Sequence, residues 1–210
     1  MSRKKGTIAG WDELADDVAL TKTAAALTAN GIEAEIAHDS DRARDRVLSF
    51  IPPAAEVFTM TSRTLESLGL KAEIDESGRY FSVRKQLSDP AGSITEKEKR
   101  RMGAAPDWAL GSVHAVTLDG RLFIASMTGS QLPAYAYGAA HVIWTVGAQK
   151  VVADADEAMR RIREYVLPLE DQRMRGLYNT GSSINKVLTI CREVNPGRLR
   201  VILVKERLGF

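Results

Sequence analysis

Apolar and polar positions in the first third of the chain alternate between helical and strand spacing. From Asp12 to Asn30 apolar residues recur at helical intervals. Leu14, Val18 and Ala25 fall on one face, and Thr23-Ala24-Ala25-Ala26-Leu27 has high helix propensity. Asn30-Gly31 predicts the stop, because glycine adopts the left-handed cap conformation without steric cost. Ile32, Ala34 and Ile36 then alternate with Glu33 and Glu35, the period of a strand. Asp39 or Ser40 caps a second helix that buries Ala43, Val47 and Phe50 and ends at Pro52-Pro53. Val57-Phe58-Thr59-Met60 reads as a short buried strand, and Ser62 opens a helix running to Gly69. This α-β-α-β-α order predicts a parallel sheet covered by helices.

The middle of the chain is less regular. Lys71 to Gly92 is polar, with a turn signal at Ser77-Gly78 and a short strand at Tyr80–Val83. Ser93-Ile94-Thr95-Glu96 matches a capping box before a charged helix, whose Lys97–Arg101 run reads as a solvated face. Strand patterns follow at Trp108–Leu110, Val113–Leu118 and Arg121–Ser126. The last two flank Asp119-Gly120, a two-residue hairpin signal. A helix is expected near Leu132–Tyr137, then a strand at Val142–Val146. Asp154 caps a helix with Ala158, Ile162 and Tyr165 on one face, and Pro168 follows it. Beyond a glycine-containing loop, Val187–Cys191 and Leu199–Val204 read as final strands.

Composition narrows the classes. The 210 residues are 44% apolar and 27% charged, which suits one α/β domain. The expected organisation is a tail over 1–11 and a domain over 12–210. A net charge of +2 with no concentrated basic face gives no reason to expect a nucleic-acid partner. The single cysteine, Cys191, excludes an intramolecular disulfide and a cysteine-rich zinc or iron–sulfur site within the chain, and fits a reducing cytoplasm. Met1-Ser2-Arg3-Lys4-Lys5 is basic, but no apolar run follows, so no secretory signal is expected. The longest apolar stretch, Ala134–Ala148, contains His141 and two glycines. It falls short of the ~18 residues of a membrane span, and reads as a helix end before a buried strand.

Candidate chemistry gathers at strand-to-helix junctions. In Ser126-Met127-Thr128-Gly129-Ser130-Gln131, free backbone N–H groups and the hydroxyls of Thr128 and Ser130 would suit an anion. An ordinary glycine turn with a capping serine fits the same residues. Ser62, Arg63, Thr64 and Glu66 form a second junction, with Arg63 as a carboxylate or phosphate clamp or merely an exposed arginine. Thr64 and Glu66 point to different helix faces. Lys150, just beyond Gly147, reads as an anion ligand, as a base or nucleophile if desolvated, or as a surface lysine. If the strands are parallel, these three segments share the carboxyl edge of one sheet. His114 has the chemistry for acid–base work near neutral pH, though a lone histidine is more often structural. Phosphate-loop, dinucleotide and nucleophile-elbow motifs are absent, and no cofactor or metal site is identified.

Three stretches in order resemble the lactate-utilisation (LUD) domain family. The first is Ser62-Arg63-Thr64-Leu65-Glu66-Ser67-Leu68-Gly69-Leu70. The second runs from Asp107-Trp108-Ala109-Leu110-Gly111-Ser112 through Asp119-Gly120-Arg121-Leu122, Thr128-Gly129-Ser130 and Val146-Gly147-Ala148-Gln149-Lys150 to Pro168. The third is Pro196–Phe210. The resemblance implies the fold of the ribose-5-phosphate isomerase and CoA-transferase superfamily, an open, mainly parallel sheet with helices on both faces. The Asp119-Gly120 hairpin would add an antiparallel element. The resemblance also implies a component of bacterial lactate or 2-hydroxy-acid utilisation that binds a small anion. Such components work beside iron–sulfur oxidoreductase subunits, and an oligomer is compatible. The alternatives are an autonomous enzyme on a phosphosugar or CoA ester, and a non-catalytic sensor or assembly subunit. No catalytic residue is assigned. Many similar sequences have Gly-Asn-Arg where this chain has Gly129-Ser130-Gln131, and Asn-Lys in place of Gln149-Lys150. Several carry clustered cysteines where Arg173–Asn185 has none.

Overall fold

A computed structural model describes residues 10–88 and 92–210. Most of the tail expected over 1–11 therefore lies outside the described residues, while Trp11 is buried. The first half runs α1 (Asp17–Ala29), β1 (Glu33–Ala37), α2 (Ser40–Phe50), β2 (Glu56–Thr59), α3 (Arg63–Ser67), α4 (Leu70–Glu76), β3 (Phe81–Ser82), α5 (Val83–Leu87) and α6 (Glu96–Ala104). Next come β4 (Trp108–Gly111), β5 (Ala115–Thr117), β6 (Leu122–Ser126), a π turn (Ala134–Gly138), β7 (His141–Gly147), a 3-10 turn (Ala148–Lys150) and β8 (Val151–Val152). The chain continues through α7 (Ala155–Arg161), a second π segment (Ile162–Val166), α8 (Leu167–Tyr178), β9 (Lys186–Ile190) and β10 (Leu199–Val204).

Six strands form a parallel sheet in the order β1-β10-β7-β4-β2-β3. Its central strands are almost continuously apolar because both faces are covered. Side chains alternate between the faces. Val142, Trp144 and Val146 of β7 and Val201 and Leu203 of β10 meet Leu20 and Leu27 of α1, together with Val116, Leu122 and Ile124 of the smaller sheet. Ile143, Ile202 and Val204 pack on the opposite side against Ala43 and Val47 of α2, Leu65 of α3, and Leu70 and Ile74 of α4. The smaller sheet has the order β8-β5-β6-β9 and is mixed: β5 and β8 are parallel, whereas β6 is antiparallel to both β5 and β9. Its other face is covered by Ala158, Ile162, Tyr165 and Trp11.

Several local expectations change. In α1 the buried residues are Leu20, Thr23 and Leu27, whereas Leu14 and Val18 are 51% and 77% exposed. The helix is apolar on more than one side, so its own pattern does not select the packed face. The capping box is Thr95 with Glu98, two residues beyond the Ser93–Glu96 match; the stretch Thr95-Glu96-Lys97-Glu98 has the same signature. The hairpin loop holds three residues, Leu118-Asp119-Gly120. Gly120 N–H bonds the Thr117 carbonyl at 2.8 Å, and Gly120 takes φ +79°. The hairpin belongs to the smaller sheet, because Leu188 and its neighbours in β9 pair with β6. Pro168 does not end the helix. The π turn before it, closed by the Leu167 N–H on the Ile162 carbonyl, carries the chain past the ring into α8. The segment Arg173–Tyr178, expected to be loop, is therefore helical.

Candidate functional site

Parallel pairing of β2, β4 and β7 puts their carboxyl ends side by side, with Thr59 beside Leu110 and Gly111 beside Trp144. Three side chains that follow those ends meet. Lys150, only 2% exposed, donates from Nζ to Thr64 Oγ1 and to Ser112 Oγ, each at 3.0 Å. Thr64 donates its own proton to the Leu208 carbonyl at 3.1 Å, and Ser112 donates to the Thr145 carbonyl at 2.7 Å. Each hydroxyl has one proton, so each accepts from the lysine. Lys150 makes no ion pair among the described residues. Burial pushes its pKa well below the ordinary lysine range, and the nearby Arg161 guanidinium pushes it further.

This group lines a cleft of about 490 Å3 between the main-sheet edge, β6 and α8. Its walls include Met60, Thr61, Arg84, Val113, Ile124, Tyr135, Val166 and Met174. Of the junction residues, Ser62, Arg63, Thr64, Thr128, Ser130, Gln131 and Lys150 line it, whereas Gly129 and Glu66 do not. Glu66 instead binds Arg63 at 2.7 Å, so that arginine is already paired. The backbone of the Ser126–Gln131 loop is also engaged. Gly129 N–H donates to Ser126 Oγ at 2.8 Å, and Ser130 N–H donates to Thr128 Oγ1 at 3.3 Å. Gln131 accepts from Ser126 at 3.0 Å, and Lys186 holds the Thr128 carbonyl at 2.9 Å. The loop presents hydroxyls and an amide to the cleft, while these two N–H groups serve the turn.

Arg84, Ser112, Tyr135 and His114 also line the cleft. Arg84 donates from Nε to the Thr59 carbonyl at 2.6 Å and makes no ion pair among the described residues. Burial lowers its pKa, partly offset by Asp75. By contrast, Glu170 binds Arg173 through two bonds of 2.7 Å. Ser112 stands directly after β4, a position open to the same strand-end reasoning as Lys150. Tyr135 closes on Gly111 so tightly that a Cβ there would lie 1.7 Å from its Oη.

His114, the fourth, is half-buried, and its Nδ1 accepts the Ala125 N–H at 3.1 Å. Nδ1 is therefore unprotonated, Nε2 carries the hydrogen, and Nε2 has no partner among the described residues. Burial pulls the His114 pKa down to about 3, with Lys150 and Arg161 acting in the same direction. This corrects the expectation of acid–base work near neutral pH: His114 is a fixed neutral donor. Arg161 sits behind it, fully buried, and its pKa falls to about 10 through desolvation.

Gln149 fastens the segment Leu208–Phe210 over this edge. Its Nε2 donates to the Leu208 carbonyl at 3.0 Å and to the Gly209 carbonyl at 3.2 Å. The same Leu208 carbonyl receives Thr64, so Gln149 and Thr64 are tied through one backbone group. No group of three or more His, Cys, Asp or Glu residues among the described residues is arranged to hold a metal ion. No helix among them is long and apolar enough to cross a membrane.

Comparison with known proteins now places this architecture. The chain is similar in fold to a crystal structure of a DUF162 family protein from Deinococcus radiodurans. The TM-score is 0.52 at 11% identity, covering 91% of this chain and 99% of the other. At that identity the likeness concerns the α/β fold alone. The LUD domain profile matches residues 20–204, and the chain belongs to the LUD domain family. A search of curated proteins gives no match.

Proposed function

We propose that the cleft binds a small organic anion, and that the protein serves bacterial lactate or 2-hydroxy-acid utilisation beside iron–sulfur oxidoreductase subunits. The observation that carries the binding reading is the unequal pairing of the cleft's cations. Arg63 and Arg173 are neutralised by Glu66 and Glu170, while Arg84 lines the cleft with no ion pair among the described residues. The Nη groups of Arg84 have no hydrogen-bond partner among the described residues, and a guanidinium matches a carboxylate or phosphate in two-pronged geometry. It also takes the place, in chemical kind, of the arginine that similar sequences carry where this chain has Gln131. The hydroxyls of Ser62 and Ser130 add donors for a ligand hydroxyl or oxo group, while Thr128 donates to Ser130 at 3.2 Å. Membership of the LUD domain family supports the metabolic setting.

The size of the cleft favours a second reading. A volume of about 490 Å3 lies in the range of sites that take ligands larger than a three-carbon acid. A phosphosugar or a CoA ester would use the same guanidinium. Thermal unfolding with lactate, pyruvate, inorganic phosphate, ribose 5-phosphate and acetyl-CoA tests both readings. A ligand at 100 times its Kd stabilises the folded form by about 2.7 kcal/mol. Stabilisation by the carboxylates supports the first reading, and stabilisation by the phosphate esters alone supports the second. No shift with any of them would leave a sensor or assembly role. Arg84→Gln is expected to weaken binding of the responding anion.

A further inference from the structure

We propose that Lys150 is a nucleophilic amine that forms an imine with a 2-oxo carboxylate held in the cleft. This deepens the anion-binding reading and rests on it. A neutral amine has two N–H groups and one lone pair, whereas an ammonium has three N–H groups. Lys150 Nζ has two acceptors, Thr64 Oγ1 and Ser112 Oγ, and both have spent their protons on backbone carbonyls. The neutral amine is therefore fully satisfied as a donor, and its lone pair stays free. An ammonium would keep a third N–H with no acceptor among the described residues. Buried Arg161, which has no ion pair among those residues, disfavours a second positive charge beside it. A lysine desolvated beside another cation is a competent nucleophile near neutral pH.

The surroundings supply the remaining needs of the reaction. Arg84, which makes no ion pair among the described residues, supplies a guanidinium for the ligand's carboxylate. His114 lines the same cleft as Lys150, and its Nε2–H is a neutral donor for the carbonyl oxygen. The lone pair attacks the carbonyl carbon and forms the C–N bond as the C=O electron pair moves onto oxygen. A proton passes from nitrogen to that oxygen, giving a carbinolamine. Loss of the hydroxyl and the second nitrogen proton as water then leaves the C=N bond. Amine and ketone are converted to imine and water, and nothing is oxidised or reduced. Apolar neighbours, Val113, Ile124 and Val166, limit the water that would reverse the step.

The full chain is incubated with pyruvate, reduced with sodium borohydride, digested and mapped by mass spectrometry. The expected result is a reduced carboxyethyl adduct on Lys150, in preference to exposed lysines such as Lys22 and Lys97. It should be lost in Lys150→Met and when lactate, which has no carbonyl, replaces pyruvate. No adduct at Lys150 in the wild-type chain, or labelling no stronger than at Lys22 and Lys97, overturns the proposal. Because the site is mapped in the wild-type protein, the result does not depend on the variant folding. Pyruvate binding, titrated in parallel, separates the two levels. Binding without an adduct removes the imine and leaves the anion site standing, while neither binding nor adduct removes both.

Discussion

Replacing His114 by asparagine should make the protein markedly less sensitive to acid. Asparagine is chosen because its Oδ1 can stand where Nδ1 accepts the Ala125 N–H. In the folded chain His114 holds no second proton until the pH falls to about 3, whereas an ordinary histidine titrates at 6.5. The folded value is the lower one, so the unfolded chain takes up the proton first as pH falls. Stability from this residue is complete above the unfolded value and drains away down to the folded one. At about pH 4.5 the loss is about 2.7 kcal/mol, and any folded value below about 4 gives nearly the same figure. The assay is urea unfolding of both proteins at pH 7.5 and 4.5. The carboxylates titrate in both, so subtracting the two pH-dependent losses isolates the histidine. A difference of about 2–3 kcal/mol in favour of His114→Asn is expected. Equal losses would refute the account of His114 as a fixed neutral donor.

Other substitutions test the scaffold and the tether. Leu20→Ala should cost about 2–5 kcal/mol in urea unfolding, and Val18→Ser no more than about 0.5, because Leu20 is buried and Val18 is 77% exposed. Gln149→Ala removes three bonds to the segment Leu208–Phe210 and should cost about 1–3 kcal/mol, with faster amide exchange in that segment. Gly111→Ala should cost about 1–3 kcal/mol and disturb Tyr135 fluorescence or its nuclear magnetic resonance signals, since the new methyl collides with the Tyr135 hydroxyl.

The parallel sheet was legible because its elements carry strong local signals. Asp39, Ser62 and Asp154 cap the helices they were expected to cap. β7 and β10 are too apolar to be anything but covered strands. Which face of α1 packs was not legible, because Leu14, Val18, Leu20 and Leu27 offer two apolar rows and only tertiary contacts choose between them. Likewise the Pro168 stop signal is local, and the π turn that overrides it has no comparable mark in sequence. At the cleft, the strand-end rule places Lys150 and Thr64 at one edge from the sequence, and the two are bonded there. Ser112 was open to that same rule. Arg84 was not, since it lies on α5 in a polar stretch with no motif, and its place depends on a carbonyl at the end of β2. His114 was visible as a residue but not in its protonation, which follows from the buried bond to Ala125.

Whether Arg84 makes this cleft an anion site is read out by calorimetric titration. Lactate, pyruvate and inorganic phosphate are titrated into the wild-type chain and into Arg84→Gln. The account predicts saturable binding of at least one of them at one site per chain. Removing the charge-assisted bonds should cost about 1.5–3 kcal/mol, raising Kd roughly 10- to 150-fold in Arg84→Gln. Binding that is unchanged in a folded Arg84→Gln protein, or no binding of any of the three anions, would contradict it.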